Sequence, residues 1–490
     1  MISKKLLIIF IFTLYFSGIL AQTVTCKQVI GYYPNWQWYD RAKLVNPESI
    51  MYEKYTIINY AFFSPQTDGS IDQTDTWADD NLLLGEPIWY PTEGHDFTTS
   101  IIYLAHAENC KVMASVGGWT LSNNFPAITA DPAKREIFIS DCIALIDSFQ
   151  FDGIDIDWEY PGFAEHSGTT ADKANFTVLM QELRNALNEH ETLTGDEYML
   201  TACFSADPLK MENIEYSNLI DILDYFNMMT YDFSGTYDAI ANHNSPLFAP
   251  AQGDPEWNLD RTFYNVTTVH GVPADKVNLG VAFYGRSMTG CSGLFGSHSG
   301  SANTVLFAAD EGTPLYFNIL ANIDQFTYNW DDQAKVPYLT NGPDNTFVTY
   351  DNEESVRLKG EYITENEAAG AIIWEITGDY VETTPGSGVI GSTPLIDALN
   401  EGLCTEVGIN NPTESEIKPL IYASSNSEIN VLVAMEKSRL TVYTINGVKV
   451  YDNKLKKGLN KIILQNQKPG VFLFVVQTSD FLYSERVFIE

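Results

Sequence analysis

Asp155, Asp157 and Glu159 occupy every second position of FDGIDIDWEY, Phe151 to Tyr160, with Ile154, Ile156 and Trp158 between them. Neighbouring side chains of an extended strand point to opposite faces, so the three acids share one face and Asp152 falls out of phase. Carboxylates stacked about 7 Å apart repel one another. The repulsion is relieved if the face is wet or if the carboxyl groups share protons. A wet face makes this a half-solvated strand whose charges serve solubility; shared protons make it a set of acids that can give and take protons. A calcium loop is excluded by spacing, because that pattern places its Gly after the acids and Gly153 precedes them.

Either reading requires a scaffold that holds the stretch in place. Strand-like runs occur at Val29 to Tyr33, Thr56 to Phe63, Lys111 to Gly117, Gly153 to Trp158, Met199 to Ser205, Asp224 to Met229, Val277 to Tyr284 and Ala371 to Trp374. Amphipathic stretches such as Pro132 to Phe149 and Ala171 to Glu189 lie between them. Strands alternating with helices over this length predict an α/β fold, a (β/α)8 TIM barrel, with an open doubly wound sheet as the alternative. About sixty residues separate the last two strands beyond what one helix needs, so an α+β insertion subdomain is expected over about 287–346, with strand-like pieces at Thr313 to Leu320 and Val336 to Leu339. Residues 405–425, rich in Asn, Pro, Ser, Thr and Glu, read as a linker. Residues 426–490 read as a small all-β module, with Asn446-Gly447 as a hairpin turn between TVYTI and VKVYD.

At the N-terminus Lys4 and Lys5 precede an apolar run from Leu6 to Phe16 and small or polar residues up to Ala21, the layout of a secretory signal peptide over 1–21. No later run reaches the length of a membrane span, so an exported soluble protein is expected, secreted or held at the cell surface. The net charge is -36, and residues 22–425 hold 17 basic against 58 acidic side chains. Such a surface repels nucleic acid and anionic membranes and suits a neutral or cationic ligand. Six cysteines leave their pairing open, and Cys142 and Cys203 sit in apolar segments as expected for buried thiols. Histidines and cysteines show no metal-ligand spacing, so neither a metal nor another cofactor is expected.

DGIDIDWEYP resembles the DxxDxDxE signature of glycoside hydrolase family 18, the chitinases. SVGGW at Ser115 to Trp119, MTYDF at Met229 to Phe233, YGRS at Tyr284 to Ser287 and IIWEITGD around Trp374 resemble further motifs of that family, in its order. The resemblance runs from about Val29 to Leu403 and implies hydrolysis of β-1,4-N-acetylglucosamine linkages in chitin or its oligosaccharides. It implies Glu159 as the acid and base, and a substrate acetamido group that attacks the anomeric carbon, so that configuration is retained. Asp155 and Asp157 would share a proton, Asp157 would orient the acetamido nitrogen, and Tyr231 would hold its oxygen. Tyr32 and Ser115 would stabilise Asp155. Trp374 would floor the subsite of the distorted sugar and Trp119 the one beyond the scissile bond, with Tyr160, Met229, Asp232 and Arg286 also contacting substrate.

Without the motifs, Tyr32, Met229 and Trp374 read as core, and Ser115 with Gly117 and Gly118 as a tight strand end. Trp36, Trp38 and Trp89 stand in early loops, where both sugar stacking and plain packing are open. Two other activities fit the acidic strand: an endo-β-N-acetylglucosaminidase acting on glycoprotein glycans, and a noncatalytic chitin-binding lectin. The C-terminal GVFLFVVQT and ERVFIE resemble the sorting domain of type IX secretion, which would make residues 426–490 an export address.

Overall fold

The computed structural model describes residues 25–90, 92–308 and 312–405, and in the C-terminal part 420–425, 428–433, 438–444, 448–464, 470–477 and 482–489. The expected signal peptide, most of the expected linker and the Asn446-Gly447 turn lie outside the described residues. The chain divides into two compact units, Met1–Val407 and Gly408–Glu490.

In the first unit eight strands pair in parallel: β1 (Gln28–Pro34), β2 (Ile57–Pro65), β3 (Lys111–Gly117), β4 (Gly153–Asp157), β5 (Met199–Ser205), β6 (Tyr225–Met229), β7 (Val277–Ala282) and β8 (Gly370–Trp374). Because β1 also pairs with β2, from Ile30 opposite Ile57 to Pro34 opposite Ala61, the sheet closes. Closure makes this a barrel and rules out the open doubly wound sheet.

Alternation along each strand divides its side chains between two cores. On β4 and just beyond it, Ile154, Ile156 and Trp158 join the large core between barrel and helices, where the Trp158 ring stacks on Phe125 at 5.2 Å. Burial of each such side chain contributes about 1.5–3 kcal/mol. The helix Pro132–Phe149 starts at Asp131, whose carboxylate accepts from the Ala133 amide, and ends at Gln150 with φ 64°. The next, Asp172–Thr194, buries Phe176, Leu179, Met180, Leu183 and Leu187, a stripe with helical spacing, and stops at Gly195. One of these helices precedes β4 in the chain and the other follows it. All five β4 residues are buried, with Asp155 0 % and Asp157 4 % exposed, so the half-solvated strand does not form.

Between β7 and β8 the strands Arg286–Met288, Thr327–Asp331, Val336–Thr340 and Phe347–Thr349 form an antiparallel sheet. The piece expected as a strand at Thr313 to Leu320 instead contains most of the helix Tyr316–Asn322. Its aromatic and branched residues favour a strand, but Tyr316 and Ile319, three apart, are buried together on one helical face, and packing overrides the propensity.

Thr25 and Cys26 pair with Thr405 and Cys404, and a disulfide joins Cys26 to Cys404 across 378 residues. The cross-link ties the chain entering the barrel to the chain leaving its last helix, Pro394–Leu403. Replacing both cysteines by serine is expected to lower the unfolding free energy by about 2–4 kcal/mol, read as the denaturant midpoint in non-reducing buffer. An unmoved midpoint would show that the tie contributes nothing.

The second unit is all-β. Leu420–Ser425, Glu428–Val433 and Gly458–Ile463 form one sheet; Arg439–Thr444, Lys449–Lys454, Gly470–Gln477 and Leu482–Ile489 form another. Its core includes Ile429, Val431, Leu440, Val442, Phe472 and Phe474.

Candidate active site

The site is built upward from β4. Asp155 accepts four hydrogen bonds from oxygen and nitrogen donors inside the barrel, at Oδ2 from Tyr32 Oη on β1 (2.9 Å) and Ser115 Oγ on β3 (2.8 Å) and at Oδ1 from Thr201 Oγ1 on β5 (2.6 Å) and Asn227 Nδ2 on β6 (3.2 Å), and a longer one at Oδ2 from the Cys203 thiol (3.8 Å). Burial pushes its pKa up, while the four donors favour the charged form. Asp157, the next acid toward the strand end, is held well above the usual carboxylate range by burial first and then by the charges of Glu159 and Asp155. Its Oδ1 has no hydrogen-bond partner among the described residues.

The strand ends where β3 requires a glycine. Gly117 has φ 118°, and a Cβ there would stand 2.2 Å from the Asp157 carbonyl oxygen. That close approach lets the Gly118 amide donate to the same carbonyl at 2.8 Å, fixing the level at which the chain leaves the barrel. Glu159 then projects into the mouth. Its amide donates to Ser122 Oγ (2.9 Å), and its carbonyl lies 2.6 Å from His166 Nδ1, which must carry the proton because a carbonyl only accepts. The Glu159 carboxyl is pushed from 4.5 to about 7, by burial first; the Asp232 charge adds to the rise, and a hydrogen bond with Tyr160 and the charge of Lys210 oppose it.

The loop after β6 supplies Tyr231 and Asp232. Asp232 has φ 61°, and its amide donates to Asn244 Oδ1 at 3.1 Å. Its Oδ1 receives the Tyr284 hydroxyl at 2.5 Å and Arg286 Nε at 2.7 Å. Tyr231 meets the Tyr284 ring edge-on at 6.1 Å. Met229 closes the floor in a cluster with Tyr32, Phe62 and Cys203.

Two aromatic walls flank the acids. Trp374, at the end of β8, stacks on Phe62 at 5.7 Å and 18°, touches Tyr32 and faces Trp36, which is 48 % exposed. Trp374, Trp36, Asp232, Tyr284, Arg286 and Leu315 line part of an open cleft of about 670 Å³. Trp119 stands half exposed with Tyr160, Phe163 and His166 around it. All twelve residues singled out from the sequence therefore lie at the strand ends, inside the barrel or along the cleft. Trp38 does not join them: it is buried, with the Lys43 ammonium 3.3 Å from its ring centre, and acts in packing. Trp89 is exposed on the loop of the short hairpin Glu86–Ile88 and Gly94–Asp96. Sequence reading missed Thr201, Asn227, Cys203, Ser122 and His166, none of which carries a local signal of its partner.

Residues 28–379 match the model of glycosyl hydrolases family 18. The chain belongs to that family. It is 33 % identical over 414 residues to chitinase A1 of Niallia circulans, a match covering 74 % of this chain and 58 % of that protein. The chain thus spans a little over half the length of that relative. Among solved structures, chitinase ChiA74 from Bacillus thuringiensis aligns with a TM-score of 0.68 at 26 % identity, over 95 % of this chain and 85 % of that one. Human YKL-39, a pseudo-chitinase with retained chitooligosaccharide binding, aligns with a TM-score of 0.66 at 25 % identity, over 77 % of this chain and 99 % of that one. Proteins named chitinase and pseudo-chitinase thus both align with this chain.

Proposed function

We propose that this protein is a chitinase that cleaves β-1,4 linkages between N-acetylglucosamine units with retention, the substrate's acetamido group acting as nucleophile. The observation that carries the reading is the column of three acids on one face, with the Glu159 carboxyl pushed up to about 7 by burial at a mouth flanked by aromatic walls. Glu159 gives its proton to the glycosidic oxygen as the bond breaks. The acetamido oxygen closes on the anomeric carbon while Asp157 receives the amide N–H and balances its positive charge. Tyr231 steadies the acetamido oxygen, and Tyr32, Ser115 and Trp374 hold Asp155 and the sugar. Glu159 then takes a proton from water, which opens the ring from the face the leaving group left. Asp155 takes up the proton the aspartate pair shares, and its four donors offset the charge it carries otherwise.

A product time course on insoluble chitin and on short chitin oligosaccharides, with the anomeric form of the first product, tests this. Hydrolysis with retained configuration supports it. Inverted product, glycan release from glycoproteins without chitin turnover, or tight binding with no released sugar would each replace it. The pH profile adds a second check. Glu159 acts as acid only while protonated, and with its pKa near 7 it loses the proton as pH rises through that value. We expect kcat to hold in the weakly acidic range and fall on the alkaline side of about pH 7.

Residues 1–21 and 426–490 are proposed as the export signals, supported by the apolar leader and by the all-β second unit. Deleting 426–490 is expected to leave the enzyme in the cell fraction of a host with type IX secretion; unchanged release would remove that role.

A further inference from the structure

The loop between β4 and the helix Asp172–Thr194 folds back onto the strand end. Buried Asp172 receives the amides of Gly162 (3.0 Å) and Thr169 (2.8 Å) at Oδ2 and the Thr169 hydroxyl (3.0 Å) at Oδ1, which ties both ends of the loop to the start of that helix. Between these ties Ala164–His166 makes one tight helical turn, closed by Ser167 with φ 62°. The turn returns the His166 ring to the strand end.

There the ring makes two separate contacts. Nδ1 donates to the Glu159 carbonyl at 2.6 Å, and the ring centre lies 4.6 Å from that of Trp119. Of the rings around Trp119 it is the nearest, Phe163 standing at 5.9 Å and Tyr160 at 6.5 Å, and half of the Trp119 side chain stays exposed. On its other side the Glu159 backbone is held by Ser122 Oγ, which itself donates to the Gly118 carbonyl next to Trp119 at 2.9 Å. The acid and the tryptophan are therefore joined twice, once through Ser122 and once through His166. The histidine link has two requirements, an N–H for the carbonyl and a flat ring for the indole.

We propose that His166 is a positioning residue that sets the spacing between the acid and the ring beyond the scissile bond: its N–H steadies the Glu159 backbone opposite Ser122, and its face steadies Trp119 for the sugar that lies there. This rests on the chitinase reading above, with Trp119 under the leaving-group sugar. The first contact acts on the step in which Glu159 gives up its proton, and the second on binding of the leaving-group side. Substitution separates them. Phenylalanine keeps the ring and lacks the donor, whereas asparagine brings an amide N–H close to where Nδ1 stands and lacks the ring.

The test is kcat and KM on a chitin oligosaccharide for the wild type, His166→Ala, His166→Phe and His166→Asn, with the melting temperature of each. Alanine is expected to lower kcat about fivefold and to raise KM about fivefold. Phenylalanine is expected to return KM to within about twofold of wild type while kcat stays low, and asparagine to return kcat to within about twofold while KM stays high. Losses of kcat and KM that move together in all three variants and follow the melting temperature make the histidine a general support of the loop and overturn the proposal. Three variants with both constants at wild-type values overturn it as well. Should phenylalanine fail to fold, asparagine against alanine decides: kcat restored with KM still raised upholds the proposal, and kcat not restored overturns it. In each of these cases turnover by the wild type leaves the chitinase reading standing. A wild type without turnover of any chitin oligosaccharide overturns that reading, and this proposal with it.

Discussion

Replacing Glu159 with glutamine is expected to lower kcat on chitin oligosaccharides by about 10³-fold or more while leaving their binding within about threefold. The amide keeps the shape of the carboxyl, and the groups that fix this segment act on its backbone: Ser122 Oγ on the amide and His166 on the carbonyl. The walls at Trp374, on β8, and Trp119, just beyond β3, belong to other parts of the barrel and stay where they are. What disappears is the proton that the leaving oxygen needs and the base that later activates water, since an amide neither gives nor takes a proton near neutral pH. Because Glu159 is pushed to about 7, the wild-type group is still largely protonated in weak acid, and glutamine mimics that state in everything except reactivity. Isothermal titration with an uncleaved oligomer and initial rates on the same ligand separate the two effects. Equal rates for variant and wild type would remove Glu159 from the chemistry; a loss of binding matching the loss of rate would reassign it to substrate recognition.

The barrel is legible in the sequence because each strand must bury one face inside and the other under helices, and short apolar runs between amphipathic helices are what that burial leaves behind. All eight runs lie within a residue or two of the observed strands. The insertion is less legible. Its segments pack on one another at the barrel's edge, so Tyr316 and Ile319 find a buried helical face that no local pattern announces. The disulfide is invisible for a related reason, since only the folded barrel brings residues 26 and 404 together.

For the site, the acids stand out because charge is costly in an apolar strand. Their supporting groups do not. Thr201, Cys203 and Asn227 are single small or polar residues in strands that read as core, and their contact with Asp155 spans 46 to 72 residues of sequence. Asp152, the acid out of phase, marks the limit of the pattern from the other side. It points away from the barrel interior and accepts from the Val112 amide at 2.7 Å and from His106 Nε2 at 2.8 Å, so it secures the start of the strand.

Asp157 is the second place where one atom should cost most of the rate. Changing it to asparagine is expected to lower kcat by about 10²–10³-fold, with KM changed much less. The side chain keeps its volume at a buried position next to the Gly117 turn, so the strand end is preserved. Asparagine cannot share a proton with Asp155 and carries no charge to offset the positive acetamido nitrogen in the transition state. Asp157 is already shifted upward by burial and by the charges of Glu159 and Asp155, so it becomes anionic only when its proton moves away. The variant is denied that step. The loss should appear in turnover and hardly in ground-state affinity, because the charge it answers does not exist before the acetamido group attacks. Stopped rates on an oligosaccharide with intact acetamido groups, set against an analogue deacetylated at the sugar before the cut, provide the check. Wild type should fail on the analogue, and Asp157→Asn should make that failure no worse. If the wild type hydrolyses the deacetylated analogue at a comparable rate, the nucleophile belongs to the protein and the role given to Asp157 falls.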